Sequence, residues 1–354
     1  MRAASGRGPD RHGRPAVSTR CAAALNAALA EALERWDEAL LLGEDLADPY
    51  GGAFRITRGL STRFPDRVLS SPISEAALFG VSAGLALRGR RPVLEIMFGD
   101  FITLGLDQVI NHIAKFREMY DEQVRVPLVV RTPMGGRRGY GPTHSQCLEK
   151  LLLGIPGLTV VAGSEYHDLH RLLLAAIASD DPVFFIENKL LYNRFQQRGR
   201  DGRLGPFLWE EGDSMYPTVQ LRAADRCSVS VVTWGGMAHL ARQAAEQLAI
   251  EHETMIEVLI LSRLAPVDLT PLLASVRRTG ALVVAEEGTL TGGVGAEIVA
   301  RVQHEAFSSL RGPARRVAAR DAVIPAARHL EDAVLPQVED ITDACLAAAG
   351  GTEH

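Results

Sequence analysis

The stretch 72-PISEAALFGVSAGLALRGRRPVLEIMF-98 changes its periodicity halfway along. Its first part is small and oily over more than three turns, with Ser74 placed as an N-cap and Gly89 as a stop, and it predicts a helix. Its second part, from Pro92 to Phe98, is short and nearly continuously apolar, which predicts a strand covered on both faces. A helix that leads into a doubly covered strand is the building unit of a parallel sheet sandwiched between helices.

The same alternation extends in both directions. Leu25, Leu29, Leu33 and Trp36 recur at helical spacing in 21-CAAALNAALAEALERW-36, and 38-EALLLGED-45 reads as a buried strand ending in acids. Leu106, Val109, Ile110, Ile113 and Phe116 make an apolar stripe that predicts a third helix over 106–120. Strands follow at 126-VPLVVRTP-133, 157-GLTVVAGS-164 and 181-DPVFFIEN-188, with a helix at 166–179. Residues 190–224 break the rhythm with Gly, Pro and charges and read as a linker. A second set of alternating strands and helices begins at Cys227. The expected fold is α/β, two domains with mostly parallel sheets covered by helices: a disordered tail at 1–20, a first domain at 21–189, the linker at 190–224, and a second domain at 225–350.

Composition narrows the function. The chain has 354 residues, is 47% hydrophobic and 23% charged, and carries a net charge of −5. That is the composition of a water-soluble globular protein with a large core, and it argues for neither a nucleic-acid nor an anionic-membrane partner. No apolar run reaches the roughly 18 residues needed to span a bilayer. Cys21, Cys147, Cys227 and Cys345 are far apart and lack metal-ligand spacing, which reads as reduced thiols in a cytoplasmic protein. The first twenty residues carry five Arg and one Asp. This imitates an organelle transit peptide but lacks an amphipathic apolar face, and an extended start reads equally well.

Three places can carry chemistry. Glu75 by itself is an acid in a first helical turn, where the helix dipole stabilises it by ~0.3–1 kcal/mol. The small residues after it (Ala76, Ala77, Gly80, Ser82, Ala83, Gly84) also let a flat ligand approach closely. His144 closes the irregular loop 135-GGRRGYGPTHSQ-146, either as a capping surface histidine or as a proton-transfer group. Phe98 and Phe101 near a strand end are either core aromatics or a platform for a heterocycle. The glycine-rich 288-GTLTGGVGAEI-298 does not fit a dinucleotide or P-loop pattern and reads as a tight strand-to-helix turn.

Taken in order, the segments LLGEDL, YGGAFRITRGL, FPDRVLSSPISEAALFGVSAGLAL, RPVLEIMFGDF, DQVIN, VPLVVRTPMGG, GPTHSQ, PGLTVV, DPVFFIENKLLY, LAPVD, VVAEEGTLTGGVGAEI and LEDAVLPQVEDI resemble one family across about residues 40–345. It is the β subunit of the thiamine-diphosphate-dependent 2-oxo acid dehydrogenase component, of the pyruvate, branched-chain and acetoin type, in the transketolase-like superfamily. The resemblance implies a pyrimidine-binding domain followed by a transketolase C-terminal-like domain. It implies that Glu75 binds the cofactor's aminopyrimidine and activates it, and that Phe101, Met97 and Ile73 line the cofactor, Met97 standing where many relatives have Gln. His144 would face the reacting centre. Leu128, Ala176, Ile177, Ser179 and Asp181 align with positions that bind a structural potassium ion, mostly through main-chain oxygens; Ser179 stands where some relatives carry an acid. The family's Gly-Asp-Gly motif for Mg²⁺ and the diphosphate is absent, so the resemblance implies an α subunit that supplies it, in an α2β2 assembly. The implied reaction is decarboxylation of a small 2-oxo acid and acyl transfer, with a lipoyl acyltransferase as the expected partner. A carboligase forming a C–C bond and a non-catalytic scaffold for an α-like chain are the alternatives.

Overall fold

The computed structural model describes residues 19–350. Most of the tail expected at 1–20 lies outside the described residues. Arg20, within it, forms an antiparallel bridge to Phe195. The first half of the chain supplies β1 (Ala39–Glu44), β2 (Val68–Ser71), β3 (Arg91–Glu95), β4 (Val129–Met134), β5 (Thr159–Ala162) and β6 (Val183–Asn188). The second half supplies β7 (Arg203–Leu204), β8 (Phe207–Glu211), β9 (Val219–Arg222), β10 (Val229–Trp234), β11 (Ile256–Leu261), β12 (Arg263–Ala265), β13 (Leu282–Thr289) and β14 (Arg315–Ala319).

Two seven-stranded sheets result, ordered β12-β5-β6-β4-β3-β1-β2 and β14-β13-β10-β11-β9-β8-β7. The strands expected from continuous apolar runs pair in parallel, with Leu42 opposite Leu94, and Val130 opposite both Leu94 and Phe184. β1, β4, β6, β10 and β11 are buried along their whole length, which is why they read as runs rather than alternations.

The structure departs from expectation in three places. The 190–224 segment is more than a linker: β7, β8 and β9 lie in it and add an antiparallel edge to the second sheet. These strands are short and half-exposed, so they carry little of the apolar signal that marks a central strand. β12 leaves the second half and pairs antiparallel with β5 of the first sheet. Finally, the helix expected over 106–120 is broken into a wide π-type turn at Gln108–Ile113 and one short α-helix at Phe116–Met119. Val109 and Ile113 of the stripe are buried, but Leu106, Ile110 and Phe116 are only half-buried. Such π-type turns shift the register of a face by a residue and recur near functional sites.

One apolar core runs through both halves, joining Leu94, Val130 and Phe184 to Trp234, Leu259, Leu261 and Val284. Each half also has its own outer layer, around Leu29 and Phe185 in the first and around Val231 and Val258 in the second. The shared core holds a polar group at its seam. Glu149 is buried, and its Oε1 accepts from Trp234 Nε1 at 3.1 Å while Oε2 has no hydrogen-bond partner. Burial pushes this carboxyl up to about 7, against the opposing pull of its own backbone N–H and of Trp234. A folded pKa above the unfolded one means that the folded chain holds the proton more tightly. The associated stability is complete below the ordinary carboxyl value and is lost as pH rises through about 7, amounting to about 3 kcal/mol. Glu149→Gln is therefore expected to gain on the wild type between pH 5 and 8 in paired urea melts. A constant difference across that range rules the assignment out.

Candidate active site

β1, β2, β3, β4 and β6 are parallel neighbours, so their carboxyl ends lie along one edge of the sheet, where α/β folds place ligands. Every group singled out from the sequence as catalytic or cofactor-binding follows one of these ends.

Glu75 starts the helix Glu75–Leu87 just beyond β2. The helix begins after Ser74 as expected, but the serine hydroxyl makes no cap bond. Instead the Ser74 backbone N–H donates to Oε1 of Glu44, the last residue of β1, at 3.2 Å. The far end behaves as the sequence suggested: Gly89, at φ +79°, donates its N–H to the Ala86 carbonyl. Glu75 and Glu44 are both buried. Burial first, and then the negative charge of Glu75, raise the Glu44 carboxyl above its ordinary value. A pair of close carboxyl groups, one of which favours its proton, is a feature of acid–base sites.

The outward face of this helix is small and open. Ala76, Ala77, Gly80, Val81 and Gly84 are exposed, and apart from the helix's own backbone and chain neighbours nothing stands within 4 Å of the Cβ position at Gly80 or Gly84. Ile73, expected beside the cofactor, is 76% exposed at the head of that face. Ser82 and Ala83 turn inward and are buried.

Beyond β3 the chain forms an aromatic cluster. The strand ends at Glu95, so Phe98 and Phe101 lie in the turn region that follows, Phe101 within the 3-10 segment Gly99–Gly105. His144 packs edge-on against both, with ring centroids 4.6 Å from Phe98 and 5.2 Å from Phe101. Phe54 and Tyr140 stand around Phe98 at 5.6 and 6.0 Å. Met97 is half-buried next to this cluster in sequence. The structure thus brings Phe101 and His144 together, and it places Glu75 two strands away on the same edge.

The His144 loop is held from several sides. Thr143 Oγ1 lies 2.9 Å from His144 Nδ1. Lys189, the residue after β6, is fully buried; its Nζ donates to the His144 carbonyl at 2.5 Å and sits 5.3 Å from the Phe98 ring centroid. Burial lowers the Lys189 pKa. Asp100 Oδ1 accepts from Gln146 Nε2 at 2.8 Å, which ties the loop to the Phe101 segment. The second half of the chain takes part as well. Glu287 accepts from the Gly136 N–H at 2.7 Å and from Asn188 Nδ2 at 3.0 Å, and Glu331 accepts from the N–H groups of Arg137 and Gly139. Glycine is needed at 135, where φ is +97° and a Cβ would lie 2.5 Å from Asn188 Nδ2.

Glu44, Lys189, Glu287 and Glu331 were not singled out from the sequence. Glu44, Lys189 and Glu287 stand as polar residues at the ends of apolar runs, and Glu331 lies in the segment LEDAVLPQVEDI, but no local signal shows which loop they hold. The glycine-rich turn before the helix Val294–Ala306 behaves as read, with the Gly295 N–H directed at the chain's own Glu286.

Residues 17–194 match the family model for the transketolase pyrimidine binding domain, and residues 219–341 match that for the transketolase C-terminal domain. The chain is 38% identical to the pyruvate dehydrogenase E1 component subunit beta of Leifsonia xyli subsp. xyli, over 90% of this chain and 91% of that one. It is 35% identical to the acetoin:2,6-dichlorophenolindophenol oxidoreductase subunit beta of Cupriavidus necator, over 94% and 97%. It is 37% identical to the 3-methyl-2-oxobutanoate dehydrogenase subunit beta of Mycobacterium tuberculosis, over 90% and 89%. A solved structure titled as a split gene transketolase, inactive beta4 tetramer, superposes with a TM-score of 0.71 at 22% identity, covering 92% of this chain and 97% of that one, and so shares the fold. Built from two transketolase-type domains and matched nearly end to end by these subunits, the chain belongs to the family of 2-oxo acid dehydrogenase E1 β subunits.

Proposed function

We propose that this β subunit decarboxylates a small 2-oxo acid with thiamine diphosphate, jointly with an α subunit in an α2β2 assembly, and passes the acyl group to the lipoyl arm of an acyltransferase. The observation that carries this reading is the shared sheet edge, with a buried Glu75 at an open helix start and an aromatic cluster holding His144 farther along.

The residues present fit the pyrimidine half of the cofactor. A buried carboxylate offers a charge-assisted bond to a ring nitrogen, and Phe101 offers an apolar wall. The bare face at Gly80 and Gly84 lies on the other side of the helix from Glu75 and does not serve this group. They do not fit the diphosphate half. Among the described residues no group of three or more His, Cys, Asp or Glu side chains is arranged to hold a metal, and the Gly-Asp-Gly pattern is missing. This supports assigning Mg²⁺ to the partner. The exposed apolar side chains Ile73, Val81 and Leu104 near the same edge support partner docking there.

When bound, the cofactor supplies a carbon nucleophile for the 2-oxo group. Glu75 then holds and exchanges a proton at the aminopyrimidine nitrogen, and its neighbour Glu44 holds Ser74 and so fixes the start of the helix. His144 faces the substrate. In the tautomer in which the Thr143 hydroxyl donates to Nδ1, Nε2 carries the proton and can donate it to a developing oxyanion. Lys189 and Glu287 keep the loop in place without touching substrate. The four free cysteines support a cytoplasmic location.

Calorimetry tests the division of labour. The lone chain is expected to bind thiamine diphosphate with Mg²⁺ weakly or not at all, and the chain mixed with its α subunit to bind it tightly. Tight Mg²⁺-dependent binding by the lone chain refutes the split site.

A further inference from the structure

The loop that aligns with the family's potassium site already contains a cation from the chain itself. The helix Leu169–Ala178 ends there, and its last carbonyls point out of the helix at the negative end of the helix dipole. Arg91, the first residue of β3, reaches this end from the neighbouring layer. Its Nη1 donates to the carbonyls of Ile177 and Ser179, each at 3.0 Å, and its Nη2 donates to Asp180 Oδ1 at 2.8 Å. Glu38 lies 3.5 Å from Nε on the other side.

Each of the remaining oxygens expected to hold the ion already accepts a hydrogen bond from the chain itself. The Leu128 carbonyl accepts from the Val183 N–H at 2.9 Å, that of Ala176 from the Ser179 N–H at 3.2 Å, and that of Asp181 from Ser179 Oγ at 3.1 Å. The carboxylates of the loop are matched as well: Asp181 pairs with Arg117 at 2.6 Å, and Asp180 pairs with Arg125 besides Arg91. Burial pushes the Asp180 carboxyl up, but the hydrogen bonds and charges of Arg91 and Arg125 outweigh it and hold the group low. A potassium ion held by the Ile177 and Ser179 carbonyls would have to share those oxygens with the guanidinium that now donates to them. Two like charges in one partly buried loop repel, and the ion has to shed water to enter.

We infer that Arg91 supplies the positive charge of this loop, so that the subunit orders it without a bound potassium ion. Ser179, in place of an acid, is part of the same arrangement: its short hydroxyl is used within the loop, on Asp181, and adds no negative charge to attract a second cation.

Thermal melts of the full chain in the chlorides of potassium, sodium and choline, at matched ionic strength, test this. The wild type is expected to melt at the same temperature in all three. A midpoint several degrees higher in potassium alone overturns the inference. Arg91→Met is expected to melt several degrees below wild type in choline and to recover part of that loss selectively in potassium. An Arg91→Met chain that melts with the wild type in choline overturns it as well. Should Arg91→Met fail to fold, the wild-type salt comparison still decides.

Discussion

Glu75→Gln is expected to lower the turnover of the reconstituted complex by roughly 10²–10⁴-fold, the usual span for loss of a positioned acid–base group. Glutamine keeps the size of the side chain and can still hydrogen-bond, but it has no proton to exchange at the aminopyrimidine nitrogen. The defect should appear in the earliest observable step, hydrogen–deuterium exchange at C2 of the bound cofactor, followed by NMR. Binding of the cofactor should fall much less, because Phe101 and the half of the site proposed for the partner are untouched. Fold stability separates this role from a structural one. The substitution removes a charge that the helix dipole favours, worth ~0.3–1 kcal/mol, and it also relieves the repulsion that helps raise Glu44. The two effects oppose, so the variant should melt within a few degrees of wild type. Wild-type exchange in Glu75→Gln would falsify the assignment, and a large drop in melting temperature points to a helix-start role instead.

How much of this was legible in the sequence depends on how local each signal is. A helix such as Cys21–Arg35 or a strand such as β4 reveals itself within a dozen residues, because its burial pattern repeats inside the element. The edge strands β7–β9 do not: they are two to five residues long, separated by Gly and Pro, and become strands only by pairing in turn, β9 on β11, β8 on β9 and β7 on β8. Nor can a sequence show that β12 crosses to the first sheet, since that depends on β5 presenting a free edge. The site follows the same rule. Glu75, Phe101 and His144 stand in short motifs that carry a resemblance. Glu44, Lys189 and Glu287 act through partners that are 30, 45 and 151 positions away, at Ser74, His144 and Gly136. Arg91 reads as an ordinary strand-start residue until the helix end 86 positions later is seen against it.

The largest stability effect is expected at Arg131. This residue lies in the middle of β4, only 2% exposed, and its guanidinium donates to Glu187 Oε1 and Oε2 at 2.7 and 2.9 Å and to Glu95 Oε2 at 2.8 Å. Tyr192 donates to Glu187 Oε2 at 2.6 Å. The triad joins β3, β4 and β6 just before they deliver Phe98, the His144 loop and Lys189 to the sheet edge. Two carboxylates around one cation is already an excess of negative charge. Burial raises the Glu95 carboxyl, Arg131 counters this, and Glu187 adds to it. Arg131→Met is therefore expected to cost about 3–5 kcal/mol, because it strands two buried acids rather than merely losing an attraction. The sign of the pH dependence follows. Without the cation nothing counters the burial that already raises the Glu95 carboxyl, which then holds its proton more tightly in the folded chain than in the unfolded one, so the deficit should be smallest near pH 5 and grow toward pH 8. Adding Glu95→Gln and Glu187→Gln to Arg131→Met should recover most of the loss, since neutral amides leave no uncompensated charge. Urea melts of the three chains at both pH values measure all of this. An Arg131→Met loss below about 1 kcal/mol, the level of an exposed pair, would mean that water reaches the triad and that the strand ends carrying the site are held together by packing alone.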